Sequence, residues 1–144
     1  MAFADGALWV TTKHAVERVA VASGEAKVVT GELARPRAVA CDGKWVFVVD
    51  VDPELEGMTR ASAVVRIPAA GGEPSVLGKS DGEIDGVALD DASVYWADRL
   101  DGSIVRVPKT GGAPHTLATD RGLPGSLVVQ GDALTWVEKR SESL

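Results

Sequence analysis

Ser103-Ile104-Val105-Arg106-Val107-Pro108-Lys109-Thr110-Gly111-Gly112-Ala113-Pro114 restates an earlier stretch of the same chain, Ala63-Val64-Val65-Arg66-Ile67-Pro68-Ala69-Ala70-Gly71-Gly72-Glu73-Pro74. Gly72 and Gly112 stand 40 residues apart, and a degenerate copy, Val16-Glu17-Arg18-Val19-Ala20-Val21-Ala22-Ser23-Gly24, lies upstream. A second motif precedes each copy: Leu8-Trp9-Val10, then Val46-Phe47-Val48-Val49-Asp50, then Val94-Tyr95-Trp96-Ala97-Asp98. It returns as Leu134-Thr135-Trp136-Val137-Glu138, and Trp96 to Trp136 is again 40 residues. Asp50 and Asp98 are 48 apart, so the second repeat carries an insertion of about eight residues within Val51 to Ala61. Self-similarity at a fixed period of this length marks a chain built from stacked copies of one supersecondary unit.

Within each period, β-branched and aromatic residues alternate with others, and clusters of Gly, Pro, Asp and Ser separate the runs. In the third repeat the runs are Gly86 to Leu89, Ser93 to Asp98, Ile104 to Val107 and His115 to Ala118. Asp90-Asp91 supplies the first turn, and Gly111-Gly112 gives the positive φ needed before the fourth run. No segment has helical periodicity. Four short antiparallel strands per period of about 40 residues is the pattern of a β-propeller blade, so an all-β propeller fold is expected. The whole chain, 1-144, reads as one partial propeller domain with repeats at about 5-41, 42-89 and 90-130 and the start of a fourth at 131-140.

Val94-Tyr95-Trp96-Ala97-Asp98 followed by Ile104-Val105-Arg106-Val107 resembles the YWTD repeat of six-bladed propellers, with Ala97 where that family prefers threonine. The later Gly-Gly-x-Pro step is similar to bacterial propeller repeats of the same broad group. The resemblance implies a scaffold, often extracytoplasmic, that binds proteins or small ligands. It does not by itself carry a function over, because function lives in site residues.

With the strands of a blade lettered A to D from the axis outward, the chain reads as beginning on a strand B at Ala7 to Thr12 and ending on a strand B at Leu134 to Lys139. That count gives thirteen strands, short of the four or more blades that close a propeller. The open edges invite self-association. Either two copies pair head to tail into a ring, or the missing blades belong to a longer chain; the surplus strand B favours the longer chain.

Composition bounds the functional classes. The 144 residues are 45% hydrophobic and 25% charged, with a formal net charge of −6, which offers no basic footprint for nucleic acid or anionic lipid. No apolar run is long enough for a membrane span, and Met1 to Gly6 lacks the basic-then-apolar order of an export signal. Cys41 is the one cysteine, which rules out an intrachain disulfide and a Cys-based zinc site, and it reads as a small packed hydrophobe.

Nucleophilic catalysis would need a His base, and the two histidines are His14, in a turn, and His115, at the start of an outermost strand. The acids Asp81, Asp85, Asp90 and Asp91 lack the fixed spacing of a calcium loop, so no cofactor is expected, calcium being the one ion the acids could serve.

Asp50 and Asp98, with Arg18, Arg66 and Arg106, recur once per repeat and read as blade contacts, a carboxylate meeting a guanidinium or backbone amides. Trp9, Trp96 and Trp136 read as large apolar bodies between sheets. Ligands of propellers usually meet the face formed by the D-to-A and B-to-C loops. There the sequence places Arg35, Arg37, Asp85 and the insertion with Asp52, Glu54, Glu56 and Arg60, and Arg37, Asp85 and the four insertion residues are the candidate ligand-binding set. The expectation is a non-enzymatic scaffold for a protein or small polar ligand. The alternatives are a propeller lactonase or lyase holding a divalent metal in the channel, and a purely structural unit.

Overall fold

Two-residue turns set the chain's rhythm. Asp5 and Gly6, with φ of 49° and 68°, join Ala4 to Ala7 directly across an antiparallel ladder, the conformation that matches strand twist in a hairpin. At the corresponding turns of the next two repeats an aspartate does the work: Asp42 Oδ1 accepts the Lys44 and Trp45 amides at 3.0 and 2.8 Å. Asp90 Oδ1 accepts the Ala92 and Ser93 amides at 2.8 and 2.6 Å. Further along each repeat, Gly71 and Gly111 both have φ of 97°, and each returns its amide to the proline carbonyl three residues back at 2.9 Å.

The computed structural model describes residues 1–51 and 61–139 and is all-β, with fourteen strands among them. Blade 1 is β1 (Ala2–Ala4), β2 (Ala7–Thr11), β3 (Val16–Ala20) and β4 (Ala26–Thr30). Blade 2 is β5 (Pro36–Cys41), β6 (Trp45–Val51), β7 (Ser62–Pro68) and β8 (Ser75–Ser80), and blade 3 is β9 (Ile84–Leu89), β10 (Ser93–Asp98), β11 (Ser103–Pro108) and β12 (His115–Ala118). A two-stranded sheet of β13 (Pro124–Gln130) and β14 (Ala133–Glu138) follows. Every sheet is an antiparallel meander in sequence order. Successive first strands touch, β1 with β5, β5 with β9 and β9 with β13, while the fourth strands make no comparable contacts. The sheets therefore fan outward from their A strands, and the fold is that of propeller blades.

The sequence expectation of thirteen strands starting at Ala7 is corrected by one. Ala2–Ala4 pairs with β2 as an A strand of three residues, so blade 1 has all four strands. Met-Ala-Phe-Ala carries too few β-formers to read as a strand alone, and the Asp5-Gly6 turn is what folds it onto β2.

Packing runs from blade to blade. Trp9 and Val16 of blade 1 meet Val39, Val46, Val48, Val65 and Ile67 of blade 2. Phe47, Val49, Val64 and Leu77 on the other side of blade 2 meet Ile84, Val94, Trp96 and Val107 of blade 3. Ala88, Tyr95, Ala97 and Ile104 meet Leu127, with Val129, Leu134 and Trp136 packed alongside. The interior blades thus bury both faces of their sheets. At β10 the burial leaves no alternation, because all six residues are buried. Among the described residues no helix is long and apolar enough to cross a membrane.

Trp96 fits because Gly78 faces it. A Cβ at Gly78 would lie 2.6 Å from Trp96 Cη2 and 3.0 Å from Cζ2, and the indole is only 2% exposed, so it has little room to retreat. Gly78→Ala is expected to destabilise by about 1–3 kcal/mol, the usual cost of overpacking. In a Trp96→Phe background the same change should cost measurably less. Urea unfolding of the four proteins of this cycle measures both, and equal costs in the two backgrounds would refute the contact.

Candidate functional site

The ends of β6 and β10 fasten the linkers between blades. Asp50, at the end of β6, accepts the Ala34 amide at 3.0 Å through Oδ2 and the Arg35 amide at 2.7 Å through Oδ1, holding the segment between β4 and β5. Asp98, at the end of β10 and 6% exposed, accepts the Ser80 hydroxyl and, at 3.1 Å, the Asp101 amide. Ser80 Oγ in turn accepts the Gly82 amide at 2.9 Å, and the buried Ser62 hydroxyl donates to the Gly82 carbonyl at 3.1 Å. The same linker is held from blade 1 by His14, in the loop after β2, whose Nδ1 donates to the Ala34 carbonyl at 2.9 Å. Its ring is thereby engaged in holding a loop.

The recurring arginines sit on strand C. Arg66 Nη1 donates to the Lys109 carbonyl of the next blade at 2.7 Å, and its guanidinium lies 4.4 Å from the Trp45 ring centroid. Arg18 sits 6.0 Å from the Trp9 ring, and Arg106 is exposed on β11. Trp9 and Trp96 are buried, whereas Trp136 is half-buried and donates to Glu138 Oε1 at 3.0 Å. His115 opens β12, the outermost strand of blade 3. The Cys41 thiol is pushed up to about 11 by burial and by the charges of Asp42 and Asp5, so it stays protonated at neutral pH and packs against the core between blades 1 and 2.

Strand A supplies the feature that distinguishes one face. In β5, β9 and β13 the ladder slips by one residue near the start: between Pro36 and Ala38, opposite Ala97 and Asp98, and between Gly125 and Leu127. The extra residues are Arg37, Asp85 and Ser126, all exposed. A bulge bends its strand and re-aims the unpaired side chain, and here three successive blades do so at the same end.

Around these bulges the D-to-A and B-to-C loops add charge. Arg37 Nη1 meets Glu83 Oε1 at 2.6 Å, and Arg99 Nη1 approaches Glu83 Oε2 at 4.0 Å. The Asp85 carboxylate leans over Gly125, where a Cβ would come within 2.4 Å of its Oδ2. Asp85, Arg99, Gly125, Ser126 and Lys139 border a small hollow of about 110 Å³. Of the sequence-derived set, Arg37 and Asp85 lie on this face in neighbouring blades, and Asp52, Glu54, Glu56 and Arg60 lie outside the described residues. Glu83, Arg99 and Lys139 were not anticipated. The position of Arg99 directly after the repeated Asp98 was the available signal.

A larger crevice of about 520 Å³ opens between the outer parts of blades 2 and 3, bordered by Lys79, Ser80, Trp96, Asp98, Asp101 and Thr116. Its polar floor is already committed: both oxygens of Asp98 are engaged by Ser80 and the Asp101 amide. Among the described residues no group of three or more His, Cys, Asp or Glu side chains is arranged to hold a metal ion.

The opposite face, formed by A-to-B and C-to-D turns, is tied together by charge. Lys109 Nζ of blade 3 meets Asp42 Oδ2 of blade 2 at 2.8 Å. The Tyr95 hydroxyl donates to Asp90 Oδ2 at 2.5 Å, and this bond and burial raise the phenol's pKa.

Fanned four-stranded antiparallel sheets, inner strands bulged at one end and linkers clamped by the B strands, define part of a β-propeller. No protein-family model matches the chain, and no curated protein matches it in sequence. Solved structures do match in shape. A chain of the nidogen/laminin complex superimposes with a TM-score of 0.74 at 20% identity, over 92% of this chain and 52% of that one. The computationally designed Ika4 protein gives 0.73 at 13% identity, over 96% of this chain and 82% of its own. An oligogalacturonate lyase in complex with manganese gives 0.63 at 16% identity, over 84% and 39%. The chain spans about half the length of the nidogen/laminin chain. At these identities the likeness is one of fold.

The turn carboxylates make stability depend on acid. Burial works against ionisation of Asp42, but hydrogen bonds from Lys109, Trp45 and Lys44 outweigh it and hold its pKa below the ordinary value. Asp90 is held low in the same way: burial opposes, and bonds from Tyr95, Ala92 and Ser93 prevail. A carboxylate with a lowered folded-state pKa stabilises above its unfolded value, about 3.9, and that contribution fades as pH falls through the folded value. Asp42→Asn should therefore flatten the acid limb of stability below about pH 4. Denaturant unfolding across that range tests it, and an acid limb as steep as the parent's would contradict the linkage.

Proposed function

We propose that this chain is a non-catalytic propeller scaffold whose D-to-A and B-to-C face binds a protein or small polar ligand of mixed charge. The observation that carries this reading is the repeated bulge that lifts Arg37, Asp85 and Ser126 out of three neighbouring A strands on one face. A rigid sheet that presents non-repeating side chains at equivalent positions is suited to recognition, because the scaffold fixes geometry while the chemistry varies. Arg37, Glu83 and Arg99 give that face an alternating charge pattern, which favours a partner carrying both signs. The sequence resemblance to YWTD repeats and the shape shared with a chain of the nidogen/laminin complex support a protein partner and an extracytoplasmic setting.

The second reading, a lyase or lactonase using a divalent metal, is favoured by one observation. Asp85 has an exposed carboxylate beside the hollow and no ion-pair partner within 4.0 Å among the described residues.

Two experiments separate the readings. Random peptides displayed on phage and selected on the wild-type protein should lose about tenfold or more in affinity toward an Arg37→Glu/Asp85→Lys variant. Selected peptides that bind the variant equally well would remove this face from the proposal. Thermal melting in calcium, in manganese and in EDTA should give the same midpoint. A rise of several degrees with either ion, lost in Asp85→Asn, would favour the metal enzyme instead.

A further inference from the structure

The repeat lets the space between blades 1 and 2 be compared with the space between blades 2 and 3. Thr30 of β4 pairs with Val16, and Gly78 of β8 pairs with Val64, which aligns Leu33 with Asp81 in the linkers that follow. Leu33 is 5% exposed and shares a core cluster with Val48 and Val65, whereas Asp81 is exposed. Ala63, which packs against that cluster, has Ser103 as its counterpart in blade 3. An apolar plug at one boundary is thus replaced by polar groups at the next, and the crevice of about 520 Å³ is the space left behind.

Two buried polar groups line that crevice with their bonding incomplete. Asp98 accepts only neutral donors, the Ser80 hydroxyl and the Asp101 amide, and among the described residues no cation lies within 4.0 Å of it. A buried carboxylate is ordinarily matched by an opposite charge. Those two bonds anchor Asp98 and leave each of its oxygens a second acceptor site. Ser103, 3% exposed, shares a face of β11 with Val105, and its hydroxyl makes no hydrogen bond to a described residue. Buried hydroxyls are ordinarily bonded. Val105, Leu100 and Pro114 supply apolar wall, and at the exposed rim Asp81 and Asp101 outnumber Lys79.

We propose that this crevice binds an alkylammonium group, carried by a lysine side chain or by a free amine. The ammonium donates to Asp98 and to the Ser103 hydroxyl, and its methylene stem lies along Val105 and Pro114. An ammonium has three donors, enough to meet both groups at once, and a short apolar stem suits walls of this kind. The net negative rim draws a cation in and turns an anion away. Apolar walls with a few convergent polar groups are the usual make-up of a small-ligand site. The crevice shares none of Arg37, Asp85 and Ser126, so it goes beyond the proposed function and does not depend on it.

The probes are n-butylammonium chloride, a capped Ala-Lys-Ala tripeptide and, as the uncharged control, n-butanol. In a ¹H–¹⁵N NMR titration of the full chain at low ionic strength, butylammonium should shift the Ser80, Ser103 and Val105 amides together and saturably, and butanol should not. An equal response to the tripeptide assigns the site to a protein's lysine, and a response to butylammonium alone assigns it to a free amine. Ser103→Ala, which matches the preceding repeat, should weaken binding about threefold to tenfold without lowering the melting temperature. Asp98→Asn should abolish it. Asp81→Leu should also abolish it, by filling the crevice as Leu33 does at the preceding boundary, and should hold or raise the melting temperature; this variant keeps the test open if Asp98→Asn loosens the linker. Absence of saturable shifts, equal shifts with butanol, or binding unchanged in both Ser103→Ala and Asp81→Leu would each overturn the proposal.

Discussion

A four-stranded sheet has two faces and can bury neither alone, and nearly everything in this chain follows from that constraint. Blade 2 is the clearest case. Val46, Val48 and Ile67 on one side and Phe47, Val49 and Val64 on the other are all fully buried, and each set is covered by a different neighbour. Strand β6 therefore reads as a continuous apolar run, where a sheet with one wet face would alternate. The hydrophobic stabilisation of each blade is held jointly with its neighbours, so the repeat can be stable only as a stack. Asp50, Asp98 and Ser62, which bond the linkers, add little apolar area of their own; they fix where one blade ends and the next begins.

The same constraint explains what was legible in the sequence. Val46, Val94 and Leu134 pack between blades and must be apolar, and with Leu8 at the same place in blade 1 they let the period be read. Turn residues with a strict conformational need, Gly71-Gly72 and Gly111-Gly112, gave the boundaries of the third and fourth strands. Strand β1 was not legible because its three residues carry no propensity signal and are held by a turn and a ladder. The bulges at Arg37, Asp85 and Ser126 were hidden for a related reason. A bulge is a relation between two strands, and no residue type at those positions announces it.

The candidate site was legible by halves. Propeller geometry led from sequence to Arg37 and Asp85 on one face, since the loops that carry them follow from strand order. Glu83 and Arg99, which turn that face into a charge network, became visible only when the clamp after Asp98 brought the D-to-A and B-to-C loops together through the 2.8 Å bond from the Arg99 amide to the Glu83 carbonyl. Residues that repeat build the stack, and residues that break the repeat at equivalent positions are free to recognise something. Arg37 against Asp85 against Ser126 is such a break, and it sets the proposed binding face apart from Asp50 and Asp98, which hold the linkers, and from Arg66, which bridges two blades.

The central claim is that the blades are stable through one another. Native-state hydrogen exchange tests it most directly, because it reports the opening free energy of each strand separately. The account requires the slowest amides of β6 and β10 to open together, with one free energy and one denaturant dependence, although they belong to different sheets. Independent opening of blades 2 and 3, each with its own free energy, would show that the sheets are self-sufficient and would contradict the account.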